Sequence, residues 1–206
     1  MRVLLTGFGP FPGAALNPSA ALVAALARRR RPALADVEIA THIFATTYAD
    51  VDRDLPRLLA PRPDVVLMFG VAGRARELRV ETRARNAATL LFPDAEGRRP
   101  QRGVIAVGAP PARRPAAPFA RLLAAARTAA APSSRLSRNA GAYVCNYAYW
   151  RALEQVQNGR PLIQFVHIPP PARGQPRRGR ARAPSLSTLV TAAEAILLVL
   201  VAASRR

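Results

Sequence analysis

What the 206-residue chain has little of bounds what it can be. It has one cysteine, so no internal disulfide can form and no four-cysteine zinc site exists. With two histidines beside that thiol, a His/Cys metal site is not expected. Lysine is absent altogether: all 31 basic residues are arginine, against 12 acidic ones, for a net charge of +19. Aromatic residues are scarce at 6%. Proteins that bind nucleic acid usually interleave basic clusters with aromatic residues that stack on bases. Here the arginines are scattered, and alanine and proline are enriched beside them, which resembles a coding bias more than a selected basic surface. Two clusters, residues 28–31 and 173–182, read as solvated loops or helix ends; a phosphate-binding patch is the alternative. No nucleic-acid partner is expected.

No apolar run approaches the twenty or so residues of a membrane span. Residues 195–203 (AILLVLVAA) are the longest, bounded by Glu194 and by Arg205 and Arg206, and read as a buried helix end or an oligomer contact. The apolar start is broken by Gly7, Gly9, Pro10 and Pro12, too early for a signal peptide. A cytoplasmic location, with the thiol reduced, is therefore expected. A dinucleotide or phosphate loop is missing too, since Gly7-Phe8-Gly9 runs into Pro-Phe-Pro rather than into a helix. No cofactor and no metal are implied.

Half of the residues are hydrophobic, enough for a core, and the length suits one domain over residues 1–206. Short apolar runs alternate with helical patterns. Strands are expected at residues 2–6, 37–44, 64–71, 78–84, 103–107 and 162–167. Helices are expected at residues 20–29, 48–59, 118–128, 143–156 and 186–203. Asn17 before Pro18 suits a helix cap, and Ser185 suits another. Residues 109–118 and 169–184 read as irregular loops. This alternation predicts an α/β fold: a three-layer α/β/α sandwich around a largely parallel, twisted mixed sheet. Sites in such sheets lie at the carboxyl ends of the strands, and residues 7–13, 71–76, the Glu81 region and residues 167–171 follow apolar strands.

Within that frame, Cys145 precedes a helical pattern. A helix N-terminus favours a thiolate and offers free N–H groups to an oxyanion. The plain alternative is a buried structural cysteine. His167 ends an apolar strand before Pro169, Pro170 and Pro171, within one helix and one strand of the cysteine. His42, mid-strand, fits a packing role better. Cys–His chemistry needs a third group to orient the imidazole. Glu81, Glu77 and Asp94 are all candidates, and spacing alone does not choose among them.

Together these segments resemble the pyroglutamyl-peptidase I family, also called pyrrolidone-carboxylate peptidases, over nearly the whole chain. The resemblance rests on Leu4-Leu5-Thr6-Gly7-Phe8-Gly9-Pro10-Phe11, on Asn17-Pro18-Ser19 and on residues 70–86. It continues through Pro93-Asp94-x-x-Gly97, the Cys145 segment from Ser137 to Asn146, and Phe165-Val166-His167-Ile168-Pro169. Residues 183–187 match the start of the last helix. The resemblance implies a cysteine exopeptidase acting on pyroglutamyl peptides. It assigns Cys145 as nucleophile, His167 as general base and acid, and Glu81 as the orienting carboxylate. By the same resemblance Phe8, Phe11 and Tyr143 supply rings to the substrate pocket and the Val71 backbone meets the lactam. A homo-oligomer, dimer or tetramer, is also implied. The chain departs from the family pattern at Val71, Arg74, Ala75 and Leu91. The last position usually carries arginine, for which Arg83 or Arg85 are the candidate substitutes. Two other readings remain: a divergent relative hydrolysing another N-acyl or lactam substrate, and a retired, basic binding protein.

Overall fold

Seven-residue apolar runs form the middle of the sheet. In the computed structural model, which describes residues 1–12, 15–131, 133–171 and 184–206, β1 (Arg2–Phe8) lies between β2 (Glu38–Phe44) and β3 (Val65–Val71). The next strand is β8 (Leu162–Ile168), and all four run parallel. Beyond β8 the direction reverses. β4 (Arg79–Glu81) pairs antiparallel with β8, and β7 (Arg135–Ser137) pairs parallel with β4. The order is β2-β1-β3-β8-β4-β7, a mixed, mostly parallel sheet. A separate antiparallel pair joins β5 (Ala84–Arg85) to β6 (Ala112–Arg113).

Helices cover both faces, which is why β3 and β8 are apolar almost throughout. On one face, Val3, Leu5, Leu67 and Val166 pack against α1 (Pro18–Ala27), α3 (Phe119–Ala129) and α5 (Leu186–Ser204). On the other, Leu4, Met68 and Phe165 pack against α2 (Tyr48–Leu59) and α4 (Val144–Glu154). The three layers expected from the alternating pattern are therefore present. Caps set the helix starts as expected: the Asn17 side chain accepts from Ser19 N–H at 3.1 Å and Ser185 Oγ from Thr188 N–H at 3.1 Å. The apolar run 195–203 lies in α5, where Ile196, Leu197, Leu200 and Val201 are core. By length and composition α5 could span a membrane, yet here it packs against α1 and α3.

Two expectations are corrected. Residues 103–107 form no strand. The side chain of Asn86 occupies their backbone instead: its Oδ1 accepts from Ile105 and Ala106 N–H at 2.9 Å, and its Nδ2 donates to Ala106 C=O at 2.7 Å. Residues 78–84 do not make one strand either. Pairing with β8 ends at Val80, and Thr82 N–H donates to Ser137 C=O at 2.7 Å. Strands β6 and β7 were not anticipated; each has only two or three residues. The arginine cluster 173–182 and most of the loop 169–184 lie outside the described residues.

Candidate active site

The site forms where β3 and β8 end. In the parallel register Gly70 lies beside His167, and in the antiparallel register Arg79 lies opposite it. Side chains alternate along a strand, so Arg79 and Glu81 share one face with His167. His167 Nδ1 donates to Glu81 Oε1 at 2.9 Å. Glu81 is fully buried and His167 nearly so. The carboxylate thus fixes the ring orientation and leaves Nε2 for chemistry.

Beneath the pair, Gln164 Nε2 donates to the Glu81 carbonyl at 2.9 Å and Tyr149 Oη to the same oxygen at 3.1 Å. These two buried side chains hold the backbone that carries the carboxylate. Sequence reasoning did not single them out; the signal was a polar residue, Gln164, inside an otherwise apolar strand.

Cys145 is the second residue of α4. Tyr143 caps the helix without a side-chain bond. Gly141, at φ +86°, makes the turn into it, a conformation that suits glycine. The thiol lies against Gly70: a Cβ there would sit 2.8 Å from Cys145 Sγ and 2.9 Å from the Phe165 ring. Only a residue without a side chain lets α4 approach β3 this closely. The helix N-terminus favours a thiolate at this position, and other effects oppose it. Burial, and next the charge of Glu81, push the thiol pKa up to about 12, against a smaller lowering by the cysteine's own backbone N–H.

Cys145 and His167 line one cavity of about 960 Å³, together with Phe11, Asn17, Thr46, Val71, Ala72, Asn139 and Tyr143. The Phe11 and Tyr143 ring centroids are 6.1 Å apart, and Tyr143 Oη is anchored on Pro93 C=O at 2.9 Å. Phe8 lies elsewhere. It is fully buried in the core against Phe44 and Phe165 and is not part of the cavity wall.

The other candidate acids are occupied. Glu77 accepts from Arg79 and Arg135, both at 2.9 Å. Asp94 ties its own loop by accepting from Glu96 and Arg98 N–H, and it also accepts from Tyr48 N–H. His42 lies 3.3 Å from Asp54 and edge-on to Phe44. His42, Asp50 and Asp54 cluster, but Arg53 bonds both carboxylates and fills the role a cation would take. Leu91 is exposed at 78%. Arg83 donates to Arg138 C=O and Arg85 to Asn139, and neither lines the cavity. Among the described residues, the arginine that does line it is Arg79.

Comparison with known proteins identifies the family. The pyroglutamyl peptidase family model matches residues 1–206. A pyrrolidone-carboxylate peptidase of Thermococcus onnurineus is 35% identical over 203 residues, covering 96% of this chain and 97% of that one. One of Clavibacter michiganensis is 36% identical over 170 residues, 81% of this chain and 78% of that one. Among solved structures, pyroglutamyl peptidase I of Bacillus amyloliquefaciens superposes with a TM-score of 0.81 at 27% identity, covering 98% of this chain and 97% of that one. The pyrrolidone carboxyl peptidase of Fervidobacterium islandicum gives 0.84 at 26%, covering 96% and 97%. Fold and relatives define a cysteine-type hydrolase on a mostly parallel α/β sheet. More narrowly, the chain belongs to the pyroglutamyl peptidase family.

Proposed function

We propose that the protein removes N-terminal pyroglutamate from peptides, with Cys145 as nucleophile, His167 as base and acid, and Glu81 as the group that orients His167. The observation that carries this reading is the arrangement of Cys145 and His167 on one cavity wall, with Glu81 bonded to the far side of the imidazole. Burial raises the thiol pKa, and removal of its proton is the task of His167. His167 Nε2 takes that proton while Sγ adds to the pyroglutamyl carbonyl carbon. The oxyanion faces the first backbone N–H groups of α4, which have no side-chain cap competing for them. Collapse breaks the C–N bond, and His167 returns the proton to the leaving amine. A water, deprotonated by His167, then hydrolyses the thioester and regenerates the thiol.

Pyroglutamate is a neutral lactam. The Phe11 and Tyr143 rings and the aliphatic Val71 suit its ring, and backbone groups at Val71 suit its amide. We place the protein in the cytoplasm, where a catalytic thiol stays reduced. We also read it as a homo-oligomer, a dimer or tetramer: Leu90, Leu91 and Phe92 are at least half exposed in succession and give an apolar surface for self-association.

The test is hydrolysis of a neutral fluorogenic pyroglutamyl amide under reducing conditions. The wild type should turn it over, and Cys145→Ala and His167→Ala should each lose about a thousandfold or more in kcat while remaining folded. A folded wild type without turnover, or a Cys145→Ala variant that keeps it, would overturn the reading.

A further inference from the structure

Among the described residues, Arg79 is the one arginine on the cavity wall, and no lysine, aspartate or glutamate lines it. Its place is set by the sheet. Arg79 and His167 are directly opposed across the β4–β8 ladder, so their Cβ atoms lie about 5 Å apart on the same face. The guanidinium is held from behind: its Nε donates to Glu77 Oε1 at 2.9 Å. Glu77 also accepts from Arg135 Nε at 2.9 Å, so one carboxylate serves two guanidiniums and a positive charge is left over. Among the described residues, the two terminal nitrogens of Arg79 have no acceptor, and its side chain is 25% exposed. This is a positioned cation with a free planar fork, the geometry that matches a carboxylate with two parallel hydrogen bonds.

What arrives beside His167 is the leaving amine. In a pyroglutamyl dipeptide that amine carries a free α-carboxylate two bonds from its nitrogen. A cation one residue across the ladder from the proton donor is in reach of that carboxylate. A neutral peptide amide, or a longer chain with its carboxylate further out, presents no charge there.

We propose that Arg79 is a specificity residue that binds the α-carboxylate of the amino acid following pyroglutamate, making pyroglutamyl dipeptides with a free C-terminus the preferred substrate class. The inference rests on the pyroglutamyl-peptidase reading above.

The test compares kcat/KM for pyroglutamyl-alanine and for its carboxamide. The wild type should favour the free acid about five- to tenfold, as a partly exposed charge-assisted pair allows. In Arg79→Gln the ratio should fall to near one. Arg79→Lys should keep part of it, because the charge remains but the fork does not. The wild-type ratio should also shrink at about 0.5 M salt, where such a pair is screened. That readout needs no variant and decides the matter if Arg79→Gln does not fold. A wild-type ratio near one, or an unchanged ratio in folded Arg79→Gln, overturns the assignment of Arg79 while leaving turnover of the neutral fluorogenic amide intact. Absence of turnover of that neutral amide and of both alanine substrates overturns the pyroglutamyl reading itself, and the role of Arg79 with it.

Discussion

At Cys145 two effects oppose each other. The first turn of α4 offers its N–H groups to the sulfur, which favours the thiolate. Burial and the Glu81 charge favour the thiol, and they prevail, so its pKa rises to about 12 from an ordinary value near 9. The sign follows: the thiol stays protonated through neutral pH, and its reactivity should rise only on the alkaline side. Alkylation by iodoacetamide without substrate should be slow at pH 7, roughly tenfold or more below a free cysteine, and should climb steadily above pH 9. Glu81→Gln removes the charge contribution and should move that profile to lower pH, even though it impairs turnover. An alkylation rate that levels off below pH 8 would mean a preformed thiolate and would contradict the balance described here. The helix position of Cys145 was legible in the sequence. The opposing effects were not, because Glu81 and the packing beside the sulfur come from strands far away in the chain.

At the level of elements, what could be read depended on length and periodicity. β3 is a continuous apolar run and β8 nearly one, α2 shows one apolar face, and α1 and α5 are capped by Asn17 and Ser185; all of these are local signals. β5, β6 and β7 are only two or three residues long, too short to show a period, and exist because distant segments pair with them: β4 with β7, and β5 with β6. Residues 103–107 have a strand-like composition, yet Asn86 captures their backbone first. Arg79 was hidden similarly: the strand containing Glu81 was expected, but the reversal that sets Arg79 opposite His167 is a matter of topology. One element also depends on a distant charge. Glu194, in the middle of α5, has its side chain only 4% exposed, and Arg31 meets it with two bonds at 2.8 and 3.0 Å. The bonds to Arg31 hold the Glu194 pKa below its ordinary value. A depressed carboxylate stabilises the fold above its unfolded pKa, and the effect is lost as pH falls through the folded one. Arg31→Ala should therefore destabilise the fold at pH 7, modestly because Arg31 is half exposed. The gap to wild type should narrow below about pH 4.5, as Glu194 becomes protonated in both proteins. Urea unfolding at pH 7 and at pH 3.5 measures both quantities; an equal gap at the two pH values would show that Arg31 acts through packing instead.

At the scale of the whole molecule the excess charge becomes a question of stability. Arginine keeps its proton throughout the working range, so the +19 cannot be relieved by titration near neutral pH. A folded chain of this length has a radius of gyration of about 17 Å. At about 0.01 M salt the screening length, about 30 Å, exceeds that radius, and the cations repel one another across the molecule. At about 0.15 M it is about 8 Å, and only near neighbours interact. The unfolded chain is far larger and feels the repulsion less, so low salt should penalise the folded state. The attractive pairs act in the opposite direction. Pairs such as Arg2–Glu38 and Arg98–Glu96 are more than half exposed on both sides, where each contributes at most about 1 kcal/mol and is screened as well. With 12 acidic residues against 31 arginines, repulsive pairs must outnumber attractive ones. Adding sodium chloride from about 0.01 M to 0.15 M should therefore raise the melting temperature by a few degrees, roughly what 1 kcal/mol does in a protein of this size. Calorimetry across that range decides the sign. A melting temperature that falls would mean that the local pairs outweigh the net charge, and that the arginines are placed less evenly than their scatter along the chain implies.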